Sequence, residues 1–136
     1  METINSRSQK GVKGISLQGD KKMKLKELAE QLGWELKTPN VPTEGEVRTG
    51  YASDLLSDVL ANSIEGDLWV TRQTHLNIVA IAVMRDLSGI LLVNGAQPEP
   101  DTVEKAVEKM VPIFRTSLPT FEIVGRLYRL GVIGER

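Results

Sequence analysis

The densest group of hydrogen-bonding side chains in this sequence lies between Arg72 and Asn77, in the segment RQTHLN. Arg72 carries a permanent positive charge, and the His75 ring can take part in hydrogen bonds through both of its nitrogens. A helix is predicted to begin within this segment, and the free N–H groups of a helix N-terminus favour anions. These residue types in this order predict a binding site for a small anionic metabolite or a nucleotide.

Three further polar segments, at residues 49–54, 94–96 and 115–117, each follow a predicted strand. In an open parallel sheet, ligands bind outside the carboxyl ends of the strands, so all four segments are expected at one edge. The candidate ligand-binding residues are Ser53, Asp54, Arg72, Thr74, His75, Asn77, Asn94, Gly95 and Thr116.

Several of these residues also have a purely structural interpretation. Ser53 or Asp54 can cap the helix that follows them, and Thr74 can cap the next one. Gly95 can simply supply the backbone geometry of a turn. His75 in the first turn of a helix can satisfy a neighbouring backbone carbonyl. Both interpretations stay open at the level of sequence.

The motifs of several enzyme and metal-binding classes are missing. There is no P-loop, no G-x-G-x-x-G after a strand and no G-x-S-x-G. His75 is the only histidine and cysteine is absent, so one chain cannot build a multi-histidine or cysteine metal centre. A triad of Ser53, His75 and Asp54 or Asp58 is arithmetically possible, but adjacent Ser53 and Asp54 are typical of capping. We therefore predict a non-catalytic protein without metal or cofactor, and a hydrolase using His75 and Asp54 ranks last.

The composition is that of an ordinary globular protein. The 136 residues include 17 basic and 18 acidic side chains, a formal net charge of -1. Nucleic-acid binders usually carry a basic excess that neutralises phosphates, so binding to nucleic acid is disfavoured. No apolar run approaches the roughly 18 residues that a membrane span requires. The absence of cysteine fits a reducing compartment, and a cytoplasmic location is expected.

Residues 1–22 differ from the rest of the chain. They are polar, basic and glycine-containing, without helical or strand periodicity. We interpret them as a flexible arm or an upstream extension, and residues 23–136 as a single domain.

From Met23 onward, helical and strand patterns alternate. Strands are expected at residues 34–38, 46–50, 67–71, 89–93 and 111–115, and helices at 24–32, 55–60, 75–86, 101–110 and 119–130. The helix at 75–86 is apolar almost all round, which predicts deep burial or a subunit interface. Serial β–α units imply an α/β fold, a three-layer sandwich whose mainly parallel sheet of four to five strands is flanked by helices.

Several stretches in a fixed order and spacing resemble the DRTGG domain family. They are GYASDLLSDVL at 50–60, GDLWVT at 66–71, HLNIVAIA at 75–82, GILLVNG at 89–95 and PTFE at 119–122. The resemblance covers most of residues 23–129, although the pentapeptide that names the family is not present literally.

What the resemblance implies is a fold similar to the N-terminal domain of HPr kinase/phosphorylase. It also implies a homodimer and a regulatory or ligand-sensing role. Members occur fused to CBS domains, phosphotransacetylases and dethiobiotin-synthetase-like modules, or alone in proteins sometimes associated with iron-only hydrogenase. No catalytic residues are carried over, and because the kinase half with its P-loop is missing, no kinase activity is implied.

The leading hypothesis is therefore a regulatory, ligand-binding homodimer that acts on a partner enzyme. Its dimer interface is expected on the apolar helix face from Asn77 to Met84. The alternative is a DNA-linked regulator in which Lys24 to Leu36 supplies the first helix of a helix-turn-helix and the basic arm follows phosphates. Its weakness is the loop PNVPTEG at residues 39–45, which stands where the recognition helix should be.

Overall fold

The computed structural model describes residues 23–136, and the expectations for residues 1–22 lie outside the described residues. The strands are β1 (Met23–Lys24), β2 (Glu35–Leu36), β3 (Glu46–Val47), β4 (Gly50–Ala52), β5 (Leu68–Thr71), β6 (Gly89–Leu92) and β7 (Ile113–Arg115). The helices are α1 (Leu25–Leu32), α2 (Leu56–Asn62), α3 (Asn77–Arg85), α4 (Pro100–Lys109) and α5 (Thr120–Arg129). Of these helices, none has the length and hydropathy needed to cross a membrane.

Five strands form the central sheet in the order β2-β7-β6-β5-β4. Strands β4 to β7 are parallel neighbours, and β2 pairs antiparallel with β7. The short β1 and β3 form a separate antiparallel pair. The chain thus moves one strand at a time across the sheet from β4 to β7, with a helix in each crossover.

Each face of the sheet is covered by its own set of helices. Leu68 and Val70 of β5 pack with apolar residues of α1 and α5, whereas Trp69 packs with those of α2, α3 and α4. This alternation follows from the two-residue period of a strand. It confirms the predicted three-layer α/β sandwich with a mainly parallel sheet.

Some local expectations were wrong. The sequence pattern predicted one strand at residues 46–50. The structure has two: Glu46–Val47 pairs with β1, and Gly50–Ala52 is the edge strand of the central sheet. The spacing on α5 predicted one apolar side with Phe121, Val124, Leu127 and Tyr128; Leu127 is buried as expected, but Phe121 is 92% exposed and Ile123 is buried instead.

The helix-turn-helix arrangement of the DNA alternative is not formed. Helix α1 ends at Leu32, the predicted end, and is followed by Gly33, whose left-handed φ of 74° is typical of a residue that caps a helix C-terminus. The next element is strand β2, which joins the central sheet, and a loop then leads to β3. No second helix therefore follows α1 in the position of a recognition helix.

Candidate functional site

The four polar segments that follow β4, β5, β6 and β7 lie at one edge of the sheet. These strands are parallel, so their carboxyl ends point the same way. This edge, called the rim below, carries Ser53 and Asp54 after β4, the loop of residues 72–76 after β5, Asn94 and Gly95 after β6, and Thr116 after β7.

Asp54 joins the loop after β4 to the loop after β5. Its Oδ1 accepts hydrogen bonds from the Thr71 hydroxyl at 2.9 Å and from the Arg72 N–H at 2.8 Å. The Gln73 side-chain amide also links the two loops, because it donates a hydrogen bond to the Asp54 carbonyl at 2.7 Å. Asp54 therefore does not cap α2, whose N-cap position is occupied by Leu55 without a side-chain cap.

Ser53 is used locally. Its Oγ accepts the Leu55 N–H at 3.2 Å, and its carbonyl accepts the Trp69 indole N–H at 2.9 Å. These contacts fix the turn between β4 and α2. Ser53 thus supports the rim rather than presenting a free hydroxyl.

The loop after β5 and the start of α3 carry exposed polar side chains. Arg72 is exposed, and its guanidinium has no hydrogen-bond or ionic partner within residues 23–136. Asn77, at the first position of α3, is also exposed. The N-cap position of α3 is Leu76, so no side chain caps this helix. Arg72 and the N-terminus of α3 thus belong to the same connection between β5 and α3.

Two residues that the sequence did not single out hold the end of this loop. His75 Nδ1 lies 2.8 Å from Glu99 Oε2. The Thr74 carbonyl accepts hydrogen bonds from the Thr102 hydroxyl at 2.9 Å and the Glu99 N–H at 3.2 Å. Thr74 therefore docks the loop on α4 and does not cap α3. Pro100 at the first turn of α4 is the signal that could have placed Glu99 at the helix start.

The turns after β6 and β7 are bonded to each other. The Asn94 N–H donates to the Leu118 carbonyl and the Gly95 N–H to the Thr116 carbonyl, both at 2.9 Å. Arg115 donates to the Gly95 carbonyl from Nε and Nη2. Asn94 and Gly95 both have positive φ, so the turn is also fixed by its backbone conformation. The connection after β6 leads to α4 and the one after β7 leads to α5, and these helices lie on opposite faces of the sheet. A ligand-binding crevice is often found between two such connections, but here the hydrogen bonds between the turns close it.

A groove of about 790 Å³ lies between α3 and α4, next to the loop after β5. His75 and Asn77 line it, whereas the other candidate residues do not. Its floor is apolar, with Val79, Ala80 and Val83 of α3, and its sides carry charged residues of α4. Sequence reasoning identified the α3 side but missed the α4 side, since Asp101 and Lys105 look like ordinary solvent-facing residues.

A second carboxylate cluster lies at the opposite edge of the sheet. Asp67, just before β5, has a side chain with 0% exposure that pairs with Arg136, with 3.1 Å between Oδ1 and Nη1. It also accepts hydrogen bonds from the Thr49 hydroxyl at 2.6 Å and the Ile64 N–H at 2.8 Å. Both carboxylate oxygens are therefore used in holding the fold.

Tyr51 of β4 and Asp58 of α2 form a half-buried hydrogen-bonded pair. The Tyr51 hydroxyl donates to Asp58 Oδ1 at 2.7 Å, as does the Asn62 amide at 2.8 Å. The bond from Tyr51, followed by those from Asn62 and Ser53, lowers the pKa of the Asp58 carboxyl, and the same Tyr51–Asp58 bond raises the pKa of Tyr51. Across the part of the chain that the structure describes, no group of three or more histidine, aspartate or glutamate residues could hold a metal ion.

A solved structure of similar fold is the CBS and DRTGG domains of the regulatory region of Clostridium perfringens pyrophosphatase, complexed with the activator diadenosine tetraphosphate. The match has a TM-score of 0.63 at 14% sequence identity and covers 97% of this chain. It covers 53% of the other chain, so this protein spans about half the length of that regulatory region. No curated protein sequence matches this chain.

The sequence profile of the DRTGG domain matches residues 52–130, more than half of the chain. The matched region begins at the end of β4 and runs through α5, so it contains all four rim segments from Ser53 onward. The resemblance noted in the sequence is thereby confirmed, and this chain belongs to the DRTGG domain family.

Proposed function

We propose that this domain is a non-catalytic regulatory module of the cytoplasm that binds a small anionic metabolite or nucleotide at the loop after β5. The observation that carries the proposal is Arg72, an exposed guanidinium without a partner among the described residues. It stands a few residues before α3, a helix that no side chain caps. The Ile78 and Val79 N–H groups already donate to the His75 and Leu76 carbonyls, so a phosphate or carboxylate would pair with the Arg72 cation and with the Asn77 N–H at the positive end of the helix.

The rim supports binding by holding this loop in place before a ligand arrives. Asp54 accepts the Arg72 N–H, and α4 holds the Thr74 carbonyl, so the loop is anchored at both ends. A loop that is already ordered loses less conformational entropy on binding, which favours affinity. In this proposal Arg72, Thr74, His75 and Asn77 face the ligand, and Ser53 and Asp54 position them.

Asn94, Gly95 and Thr116 have a different part in the proposal. The backbone bonds between their turns leave Gly95 and Thr116 little freedom to bind a guest. The exposed Asn94 side chain is the group of this set that could reach a ligand. We therefore assign Gly95 and Thr116 a supporting role and keep Asn94 as a peripheral contact.

The solved relative supports the choice of a nucleotide as the first ligand to test. Its DRTGG domain belongs to the regulatory region of an enzyme, and that region was crystallised with diadenosine tetraphosphate. By analogy, we propose that the present chain acts on a partner enzyme. A regulatory role of this kind requires no catalytic residues, which agrees with the absence of enzyme motifs in the sequence.

The test is a thermal-shift and calorimetry screen of the full chain against inorganic phosphate, mononucleotides and diadenosine tetraphosphate. We expect at least one of these anions to raise the midpoint of unfolding, since a ligand that binds only the native state stabilises it. Arg72→Ala should weaken that binding about tenfold or more, the loss expected for a charge-assisted contact of about 1.5–3 kcal/mol.

The matched control is Arg129→Ala, which removes an exposed arginine from α5, outside the rim. It lowers the net charge by the same amount, so it should leave ligand affinity unchanged if binding is local. Equal losses in both variants would indicate nonspecific attraction to a cationic surface. An absence of stabilisation by every anion in the screen would contradict the proposal.

A further inference from the structure

The groove between α3 and α4 opens beside the loop proposed to bind the anion. At about 790 Å³ it falls within the size range of small-molecule sites, which are mostly apolar and carry a few polar groups. Its floor is formed by Val79, Ala80 and Val83 of α3, and Val83 is 49% exposed. The floor is therefore an apolar surface that the fold leaves in contact with solvent, and a phosphate alone would not cover it.

Both helices of the groove begin at the rim, so the groove runs away from the anion site. Asn77 occupies the first position of α3, and the Glu99 N–H at the start of α4 donates to the Thr74 carbonyl. From Asn77 to Val83 the floor extends about 9 Å along the helix axis, at a rise of about 1.5 Å per residue. A ligand whose anionic group lies at the rim can therefore place the rest of its length on the floor.

Asp101 is a carboxylate at the rim end of the groove that the fold does not use. It is exposed and makes no salt bridge or side-chain hydrogen bond within residues 23–136. The neighbouring Glu99 is instead held by His75, with 2.8 Å between Oε2 and Nδ1. A free carboxylate accepts hydrogen bonds from hydroxyl groups, and an acidic side chain binds the ribose hydroxyl in dinucleotide sites.

The charges that line the groove cancel. Two carboxylates, Glu99 and Asp101, are matched by two ammonium groups, Lys105 and Lys109. A lining without net charge over an apolar floor favours an uncharged group, whereas the unpaired cation of the neighbouring loop favours an anionic one. The ligand that fits both parts has a charged end and an uncharged, largely apolar end, with hydroxyl groups between them.

We propose that the ligand is a nucleoside 5′-phosphate whose nucleoside lies in the groove between α3 and α4. This inference rests on the proposed anion site. The phosphate lies at Arg72 and the Asn77 N–H, Asp101 accepts hydrogen bonds from the ribose hydroxyls, and the base covers Ala80 and Val83. The groups along the groove thus follow the order of phosphate, ribose and base in a nucleotide. The base covers part of the helix face on which the sequence predicted a dimer interface.

The experiment is calorimetric titration of the full chain with inorganic phosphate, ribose 5-phosphate, adenosine 5′-monophosphate (AMP) and its 2′-deoxy analogue. AMP should bind about tenfold or more tightly than ribose 5-phosphate, because only AMP covers the apolar floor. The 2′-deoxy analogue should bind about fivefold more weakly than AMP, because it lacks one hydroxyl donor to Asp101.

The ribose contact is tested with Asp101→Ala. This variant should bind AMP and its 2′-deoxy analogue equally well and should still bind inorganic phosphate. Glu104→Ala is the matched control, since it removes an exposed carboxylate of α4 that does not line the groove. The control should keep the preference for AMP over the 2′-deoxy analogue.

The base contact is tested with Ala80→Glu, which places a charge on the floor. The variant should lose the advantage of AMP over ribose 5-phosphate, and this ratio is informative because the two ligands carry the same phosphate. Ala61→Glu, at an exposed position of α2 outside the groove, should keep that advantage. Circular dichroism of every variant separates loss of binding from loss of the fold.

AMP that binds no more tightly than ribose 5-phosphate would overturn the inference, while the anion site would stand if Arg72→Ala weakens both ligands. If none of the four ligands binds, the proposed function fails and the inference fails with it. An advantage of AMP that survives Ala80→Glu would place the base outside the groove. If Ala80→Glu instead dissociates a dimer in sedimentation equilibrium without changing the affinity for AMP, a second copy occupies the groove and the inference is wrong.

Discussion

Two aspartates near opposite ends of β5 hold the same part of the fold in different ways. Asp67, at the amino end, is buried and uses both carboxylate oxygens in contacts with Arg136, Thr49 and Ile64. Asp54, at the carboxyl end, is exposed and accepts two hydrogen bonds with one oxygen, Oδ1. Both oxygens of Asp67 have hydrogen-bond partners. Asp54 fixes the loop after β5 through the Arg72 N–H and leaves the Arg72 guanidinium without a partner among the described residues.

This difference distinguishes a structural carboxylate from one that prepares a binding site. A buried charge must be fully paired, because an unpaired one costs several kcal/mol. At the exposed rim, water screens charges and an unpaired Arg72 costs little. The unsatisfied group is therefore found where a ligand can reach it.

The largest effect is expected for Asp67→Ala. The change leaves Arg136 and the Thr49 hydroxyl without their partner, and breaking a buried pair costs about 3–5 kcal/mol. Urea denaturation should show this loss in the free energy of unfolding. Glu65→Ala, which removes an exposed carboxylate two residues away, should change it little. A loss below about 1 kcal/mol in Asp67→Ala would mean that the cluster is not structural.

A smaller effect is expected for Asp54→Ala. The carboxylate holds two hydrogen bonds at an exposed position, so we expect a loss of about 1–2 kcal/mol of stability. Asp54→Asn, which keeps one carbonyl acceptor, should lose less, and Ser57→Ala on the exposed side of α2 should lose almost nothing. Asp54→Ala should also weaken anion binding, because the Arg72 backbone is no longer anchored. Unchanged anion affinity in Asp54→Ala would show that the hydrogen bond between Asp54 and the Arg72 N–H does not contribute to anion binding.

The smallest effect concerns the half-buried Tyr51–Asp58 pair and depends on pH. The folded-state pKa of Asp58 is lowered, so its favourable contribution is present above its unfolded pKa of about 4 and is lost as pH falls through the folded value. The pKa of Tyr51 is raised, so its contribution is present below about 10 and is lost as pH rises through the folded value. Tyr51→Phe should flatten both ends of the stability profile measured by chemical denaturation. The pKa of the Asp58 carboxyl, measured by NMR, should rise in that variant. If it does not rise, the hydrogen bond from Tyr51 is not the main cause of the lowered pKa.

The layers and the parallel order of the sheet could be predicted from the sequence because they depend on periodicity. The apolar run at Gly89–Val93 and the alternation of strand and helix patterns leave few arrangements open. The position of β4 could not be predicted, since Glu46–Val47 and Gly50–Ala52 are both short and only pairing with β1 or β5 distinguishes them.

The sequence was enough to predict that the four polar loops lie at one edge of the sheet, because this follows from the parallel order of the strands. It was not enough to predict which hydrogen-bond partners each side chain has. Ser53 and Asp54 look like helix caps in sequence, and only the structure connects Asp54 to Arg72 across 18 residues. The partners Glu99 and Asp67 were missed because each is one carboxylate among many. Their importance depends on long-range contacts, with Thr74 and His75 for Glu99 and with Arg136 for Asp67.

The most direct test of anion binding at the loop after β5 is a titration of the ¹⁵N-labelled protein with inorganic phosphate and then with diadenosine tetraphosphate, followed by amide chemical shifts. We predict saturable shifts at the backbone amides of residues 72–77, with little change at Gly95 and Thr116, whose amides are bonded within the rim. Shifts that do not saturate, or that cluster away from residues 72–77, would contradict the proposed site.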